Sequence, residues 1–244
     1  MNIGKVMYQS ALFGDFREVL PTPEKITLLM EAFKDKGFIP STFLDFDPLY
    51  PNPVNRISFI SENNEWRMNI GNQRIDIYKN SLNIIGDNLG EMQQFVIECA
   101  DIFARFLSKF DKKGNRIALV GNYFFNDTNT EKYNSFYLKL RNSYGIYKNV
   151  VPFEWNIRDV VKKSIKQENH EEVFNVGTAL DRFQGQIFNN NETIFVDRIN
   201  LLFDINSIPE NIEPRYDINK IIWSLNTTCS ILSSFLTDIK NLQE

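Results

Sequence analysis

Apolar and polar positions change period along this chain of 244 residues, and each change marks an element. Residues 3–13 set Val6, Tyr8, Ala11 and Phe13 among polar neighbours and predict a strand. Thr22-Pro23-Glu24 reads as a helix start, with Thr as N-cap, Pro at the first helical position and an acid in the first turn. Ile26, Leu29, Met30 and Phe33 share one face of that helix, and Gly37 ends it. Residues 38–46 read as extended and lead into Pro48, Pro51 and Pro53. Short strand patterns follow at 56–61, 65–70 and 73–79. Asn63-Asn64 and Gly71-Asn72 supply the tight turns of an antiparallel meander.

The clearest helical spacing covers 89–110, where Met92, Val96, Cys99, Ile102, Phe103, Phe106 and Phe110 make a broad apolar stripe suited to packing on a sheet. Residues 115–125 read as a buried strand, with Ile117, Leu119 and Val120 between Gly114 and Gly121. A short helix or helix-like crossover is predicted at 127–142. Strands are then predicted at 150–158, through Phe153, Trp155 and Ile157, at 173–188 and at 193–205, the last two joined at Asn189-Asn190-Asn191. Pro209 and Pro214 mark a loop. Residues 217–242 form a second long amphipathic helix through Ile218, Ile221, Ile222, Leu225, Cys229, Leu232, Phe235 and Ile239.

The order hairpin, strand, loop, long helix with a mid-face Cys occurs twice. Residues 64–77 precede one long helix and residues 191–205 the other. The expectation is an α+β fold of two similar halves, each an antiparallel sheet packed by a long amphipathic helix, arising by tandem duplication. The boundaries that follow are an N-terminal half at 1–126, a connecting segment at 127–148 and a C-terminal half at 149–244.

Composition narrows the class. Hydrophobic residues make up 43% and Phe alone numbers 21, enough for a well-filled interior. The net charge of −4 speaks against binding nucleic acid by bulk phosphate neutralisation. The basic run at 158–166, with Lys162, Lys163 and Lys166, is the best local patch, and its plainer reading is the solvated face of one element. Two cysteines, Cys99 and Cys229, cannot make a disulfide framework or a four-ligand zinc site, and both sit in apolar helical patterns as small hydrophobes. The N-terminal residues lack a signal peptide's basic start and long apolar run, and no stretch approaches a membrane span. The expected location is the cytoplasm, with no membrane association.

Candidate chemistry is sparse. The single histidine, His170, lies in the polar run 167–172 and reads as an exposed loop residue between strands. There is no nucleophile elbow, phosphate-binding loop or dinucleotide fingerprint. Carboxylates are plentiful. Asp45 and Asp47 are one alternation apart, Glu62 and Glu65 bracket a turn, and Asp76 and Asp204 hold matching places in the two expected repeats. A metal-dependent nuclease or hydrolase needs two or three such acids to converge on a cation, and nothing in the spacing fixes that. Tyr123-Phe124-Phe125 and the series Tyr133, Phe136, Tyr137, Tyr144 and Tyr147 could stack on bases, but without interleaved basic residues they read as core or protein interface.

The strand pair at 66–77, the strand Arg116-Ile117-Ala118-Leu119-Val120-Gly121-Asn122-Tyr123 and the closing helix at 232–239 together resemble a sporadically distributed bacterial family to which no function is assigned. Its members often carry a His and an Asn near the start of the closing helix. Here Asn226 is present and the His is not. The resemblance implies an accessory protein of variable bacterial loci and transfers no catalytic residue.

The expected function is therefore a non-enzymatic interaction or regulatory subunit, in a bacterial anti-phage defence or toxin–antitoxin-like setting. No cofactor, metal site or catalytic residue is assigned. A protein partner or homo-oligomer is expected, and nucleic acid is the weaker partner class. The alternatives are a metal-dependent hydrolase built on Asp and Glu, and a nucleic-acid or nucleotide sensor.

Overall fold

The computed structural model describes residues 2–46, 52–83, 86, 88–126, 130–141, 150–167, 169–189 and 192–242. Among them the elements run β1 (Asn2–Phe13), α1 (Pro23–Ala32), β2 (Phe38–Asp45), β3 (Val54–Ser61), β4 (Trp66–Ile70), β5 (Arg74–Asn80), α2 (Met92–Phe110), β6 (Arg116–Asn126), α3 (Thr130–Leu140), β7 (Trp155–Gln167), β8 (His170–Asn189), β9 (Glu192–Ser207) and α4 (Ile218–Leu242). All nine strands join one sheet in the order β2-β3-β4-β5-β1-β6-β9-β8-β7, and every pairing is antiparallel.

The α+β character holds, but the expectation of two halves with separate sheets is corrected. β6, the last strand of the expected N-terminal half, pairs with β9 of the expected C-terminal half in the middle of the sheet, from Ala118↔Asn206 to Phe124↔Asn200. One continuous core runs beneath, from Phe33 and Phe59 at one side to Phe174 and Leu180 at the other. The two segments read as repeats also differ in kind. Residues 64–77 hold a turn and two short strands, whereas Glu192–Ser207 is a single unbroken strand. Element order had suggested repetition, but order does not specify which strand edges meet, because that depends on partners remote in sequence.

Local signals form the elements much as their chemistry dictates. Thr22 caps α1, its side-chain oxygen accepting from the Lys25 backbone N–H (3.4 Å). Met92, Phe95, Val96, Cys99, Ile102, Phe103, Phe106 and Leu107 of α2 are buried, and each large one contributes roughly 1.5–3 kcal/mol of burial free energy. α2 ends where Asp111 adopts a left-handed conformation (φ 48°) and closes the last turn onto Leu107.

All four helices cover the same sheet face. Phe33, beside α1, packs on Phe59; α2 brings Phe95 to Tyr8; α3 brings Phe136 to Phe125; and α4 brings Phe235 to Phe203. Period-2 alternation sends Tyr8, Ser10 and Leu12 of β1 into that core and leaves Gln9, Ala11 and Phe13 on the opposite face. Among the described residues that opposite face carries no helix, so its chemistry is open to solvent or to a partner.

Strand β7 departs from the expected 150–158. It starts at Trp155 and continues to Gln167, through the basic run. As the last strand of the sheet it is exposed on both faces over residues 158–164, so burial imposes no alternation there to read. No helix among the described residues is long and apolar enough to cross a membrane.

Candidate functional site

The uncovered face is built in rows by the strand registers. Arg74 of β5 and Arg116 of β6 lie directly opposite Phe13 of β1, one on each side. Two residues along, Asp76 and Ala118 flank Ala11, and Asn206 of β9 continues that row. Beyond the end of β1, Gly14 turns the chain and its N–H donates to the Gln73 carbonyl (2.9 Å). A cleft of about 430 Å³ opens at this corner, lined by Phe13, Asp15, Arg17, Gln73, Arg116 and Asn211, among others. It adjoins a second cleft of about 610 Å³ that shares Phe13 and Gln73 and adds Phe43, Asp45, Asp76 and Tyr78.

Arg116 sets this corner apart. Its guanidinium stacks 4.4 Å from the centre of the Phe13 ring, a cation–π contact that fixes its plane. Nη2 donates to the amide oxygen of Asn206 (3.2 Å), while Nε is buried and has no acceptor among the described residues. Among the described residues no carboxylate is ion-paired to it; Asp204 and Glu210 act on it only at longer range. Burial, with Arg74 adding to it, pulls the Arg116 pKa below its usual value, although the group stays charged.

Three other arginines, two buried and one partly buried, show how this chain satisfies a guanidinium. Arg56 is fully buried and donates to the carbonyls of Phe16 (2.6 Å), Gly71 (2.9 Å), Arg17 (3.0 Å) and Ile70 (3.2 Å). Arg182 grips Asp197 with Nε (2.9 Å) and Nη2 (2.8 Å) and gives Nη1 to Asn134 (2.8 Å). Arg215 meets Glu172 through Nε (2.8 Å) and Nη2 (3.2 Å), while Nη1 donates to the Asn115 carbonyl. Arg116 departs from these three, as does Arg198, which stacks on Phe124 and has no ion-paired carboxylate among the described residues.

The neighbouring cleft is acidic but internally tied. Asp76, only 5% exposed, accepts from Gln9 Nε2 (2.9 Å) and pairs with Arg74 Nε (2.7 Å). Burial pushes its carboxyl above the usual value, and the Asp45 charge pushes the same way. Asp45 accepts the Asn72 backbone N–H (2.8 Å) and so closes the β4–β5 turn.

The other residues singled out in the sequence fall as follows. Asp204 lies on β9, exposed, and roughly 14 Å from the Asp76 strand across three inter-strand spacings, so the two acids do not converge. Glu62 is exposed and Glu65 pairs with Lys79 (3.2 Å); Asp47 lies outside the described residues. Among the described residues no three His, Cys, Asp or Glu side chains group to hold a metal ion. Cys99 and Cys229 are buried, and burial raises both thiols, which suppresses the nucleophilic thiolate. His170 opens β8 rather than lying in a loop, and its ring stacks on Trp223 (5.3 Å between centroids). Tyr123, Phe125, Tyr133, Phe136 and Tyr137 are core, and Phe124 lies under Arg198 (4.3 Å). Tyr144 and Tyr147 are outside the described residues. Asn226 accepts from Gln93 Nε2 (2.9 Å) and ties α4 to α2.

Sequence reasoning missed Phe13 and Arg116 as a pair. The sole local signal was a charged residue opening an otherwise apolar strand, and an unpaired charge is visible only once the strand partners are known. No family model matches the chain, and neither does any curated protein or solved structure.

Proposed function

We propose that this chain is a non-enzymatic interaction module, an accessory or regulatory subunit, that docks an acidic segment of a protein partner at the Phe13–Arg116 corner. The observation behind this reading is the vacant buried donor at Arg116 Nε, on a guanidinium held in plane by Phe13 at the wall of an open cleft. A buried donor without an acceptor costs roughly 1–3 kcal/mol, and a carboxylate oxygen placed there removes that cost and gains a charge-assisted hydrogen bond. Arg17 and Arg74, which line the two adjoining clefts, add positive potential to the approach.

The test is calorimetric titration of the full chain with a blocked Glu/Asp-rich peptide at low salt, alongside a Lys-rich control and inorganic phosphate. Wild-type protein binds the acidic peptide saturably. Arg116→Gln weakens that binding about tenfold or more with an unchanged melting temperature. Equal binding by the variant, or no binding by the wild type, removes the corner as a docking site. Binding of phosphate without peptide replaces the acidic protein segment with a phosphate-bearing ligand.

A further inference from the structure

We infer that the free edge of β7 pairs with the same edge of a second copy of this chain, two-fold about Val161, to make one continuous sheet across a homodimer. The edge is long and, among the described strands, unpaired on its outer side. β7 has thirteen residues, bonds only to β8 among the described strands, and exposes Val160 (47%) and Val161 (58%) to solvent. Such an edge is a template for another strand.

Lysines commonly guard such edges, because a second copy meets like charge opposite like charge. Register decides whether that guard operates here. In an antiparallel pair formed by two copies of one strand, opposed residues share a face and the two-fold axis falls on a residue. Val161 is the middle residue of the thirteen, so an axis there pairs the strands over their full length. That register sets Asp159 opposite the partner's Lys163, and Lys163 opposite the partner's Asp159. It sets Ile157 opposite Ile165 twice, and Val161 opposite itself.

Every other two-fold register that pairs seven or more residues per strand opposes like charges. An axis on Arg158, Asp159, Lys162 or Lys163 puts that residue against itself. An axis on Val160 opposes Arg158 and Lys162, and one on Ser164 opposes Lys162 and Lys166. The charges of β7 thus select the one register that also gives the most backbone hydrogen bonds.

Asp159 and Lys163 are available for this role. Among the described residues neither takes part in an ion pair, whereas Lys162 is held by Glu210 (3.0 Å) and Lys166 by Glu171 (3.6 Å). On one strand the two are four residues apart, roughly 13 Å, too far to neutralise each other.

The test measures mass against concentration for the full chain, by analytical ultracentrifugation, with circular dichroism confirming the fold of each variant. Wild type associates to a dimer. Asp159→Lys and Lys163→Asp, each of which places like charges opposite one another twice, weaken dimerisation roughly tenfold or more. The combined Asp159→Lys/Lys163→Asp protein recovers it. A wild-type monomer at about 100 μM, a dimer indifferent to both single substitutions, or a double variant no better than the singles overturns the inference. Because β7 and the Arg116 corner are tested by different variants, either reading can fail alone.

Discussion

Arg215 and Arg116 are neighbours with opposite circumstances. Arg215 donates to the carbonyl of Asn115, the residue just before Arg116. It lies in a closed network, where Glu172 also receives Tyr216 Oη (2.9 Å) and faces Lys220 Nζ (3.1 Å). Arg116 points to the uncovered face and finds a ring and one amide oxygen. The first arrangement ties the start of α4 to β8 and β6 and satisfies its charges. The second leaves a charge unsatisfied where solvent or a partner can reach it. Arg56, Arg182 and Arg215 have their acceptors, and the contrast makes Arg116 a candidate for recognition.

The comparison can be broken first at its closed end. Glu172→Ala leaves Arg215 and Lys220 facing each other with their carboxylate gone, and costs about 3–5 kcal/mol in urea unfolding. A loss under about 1 kcal/mol would show that the network is not what holds α4 in place.

Acid sharpens the contrast between the two buried carboxylates. Burial works to raise the Glu172 pKa, but Arg215, Lys220 and Tyr216 outweigh it and hold the carboxyl below its ordinary 4.5. Its stabilisation is complete above that value and disappears as pH falls through the folded pKa. Asp76 has the opposite sign. Its folded pKa lies above 3.8, raised first by burial, so the cost of its charge is relieved as pH falls through that folded value. Asp76→Asn should therefore leave the protein slightly more stable at neutral pH, by less than about 1 kcal/mol, and Glu172→Gln should flatten the acid limb of the stability curve. Denaturant titrations from neutral to acid pH check both signs.

At the open end the expected stability change is smallest. Arg116→Met keeps the packing on Phe13 and removes an unpaired charge, so the unfolding free energy moves by less than about 0.5 kcal/mol. A loss like that of Glu172→Ala would make Arg116 a structural residue.

Much of the fold was legible because its signals are local. The Thr22-Pro23 start of α1, the stripe of α2 and the Gly71-Asn72 turn depend on residues a few positions apart, and each formed as expected. What was lost depended on distant neighbours. The pairing of β6 with β9 merged two expected sheets into one. β7 was cut short because an edge strand exposed on both faces has no apolar alternation. Arg116 gave no warning, since its lack of a carboxylate is a property of β1, β5 and β9 around it rather than of its own segment.

The most direct test of the open corner follows the arginine Nε–H resonances by NMR while an acidic peptide is added. Arg56, Arg182 and Arg215 already donate Nε–H to protein acceptors, so their signals should hold still. The Arg116 Nε–H signal should move downfield saturably and become slower to exchange with water, as a vacant donor gains a carboxylate. An Arg116 signal that stays unmoved while the peptide binds would contradict the account.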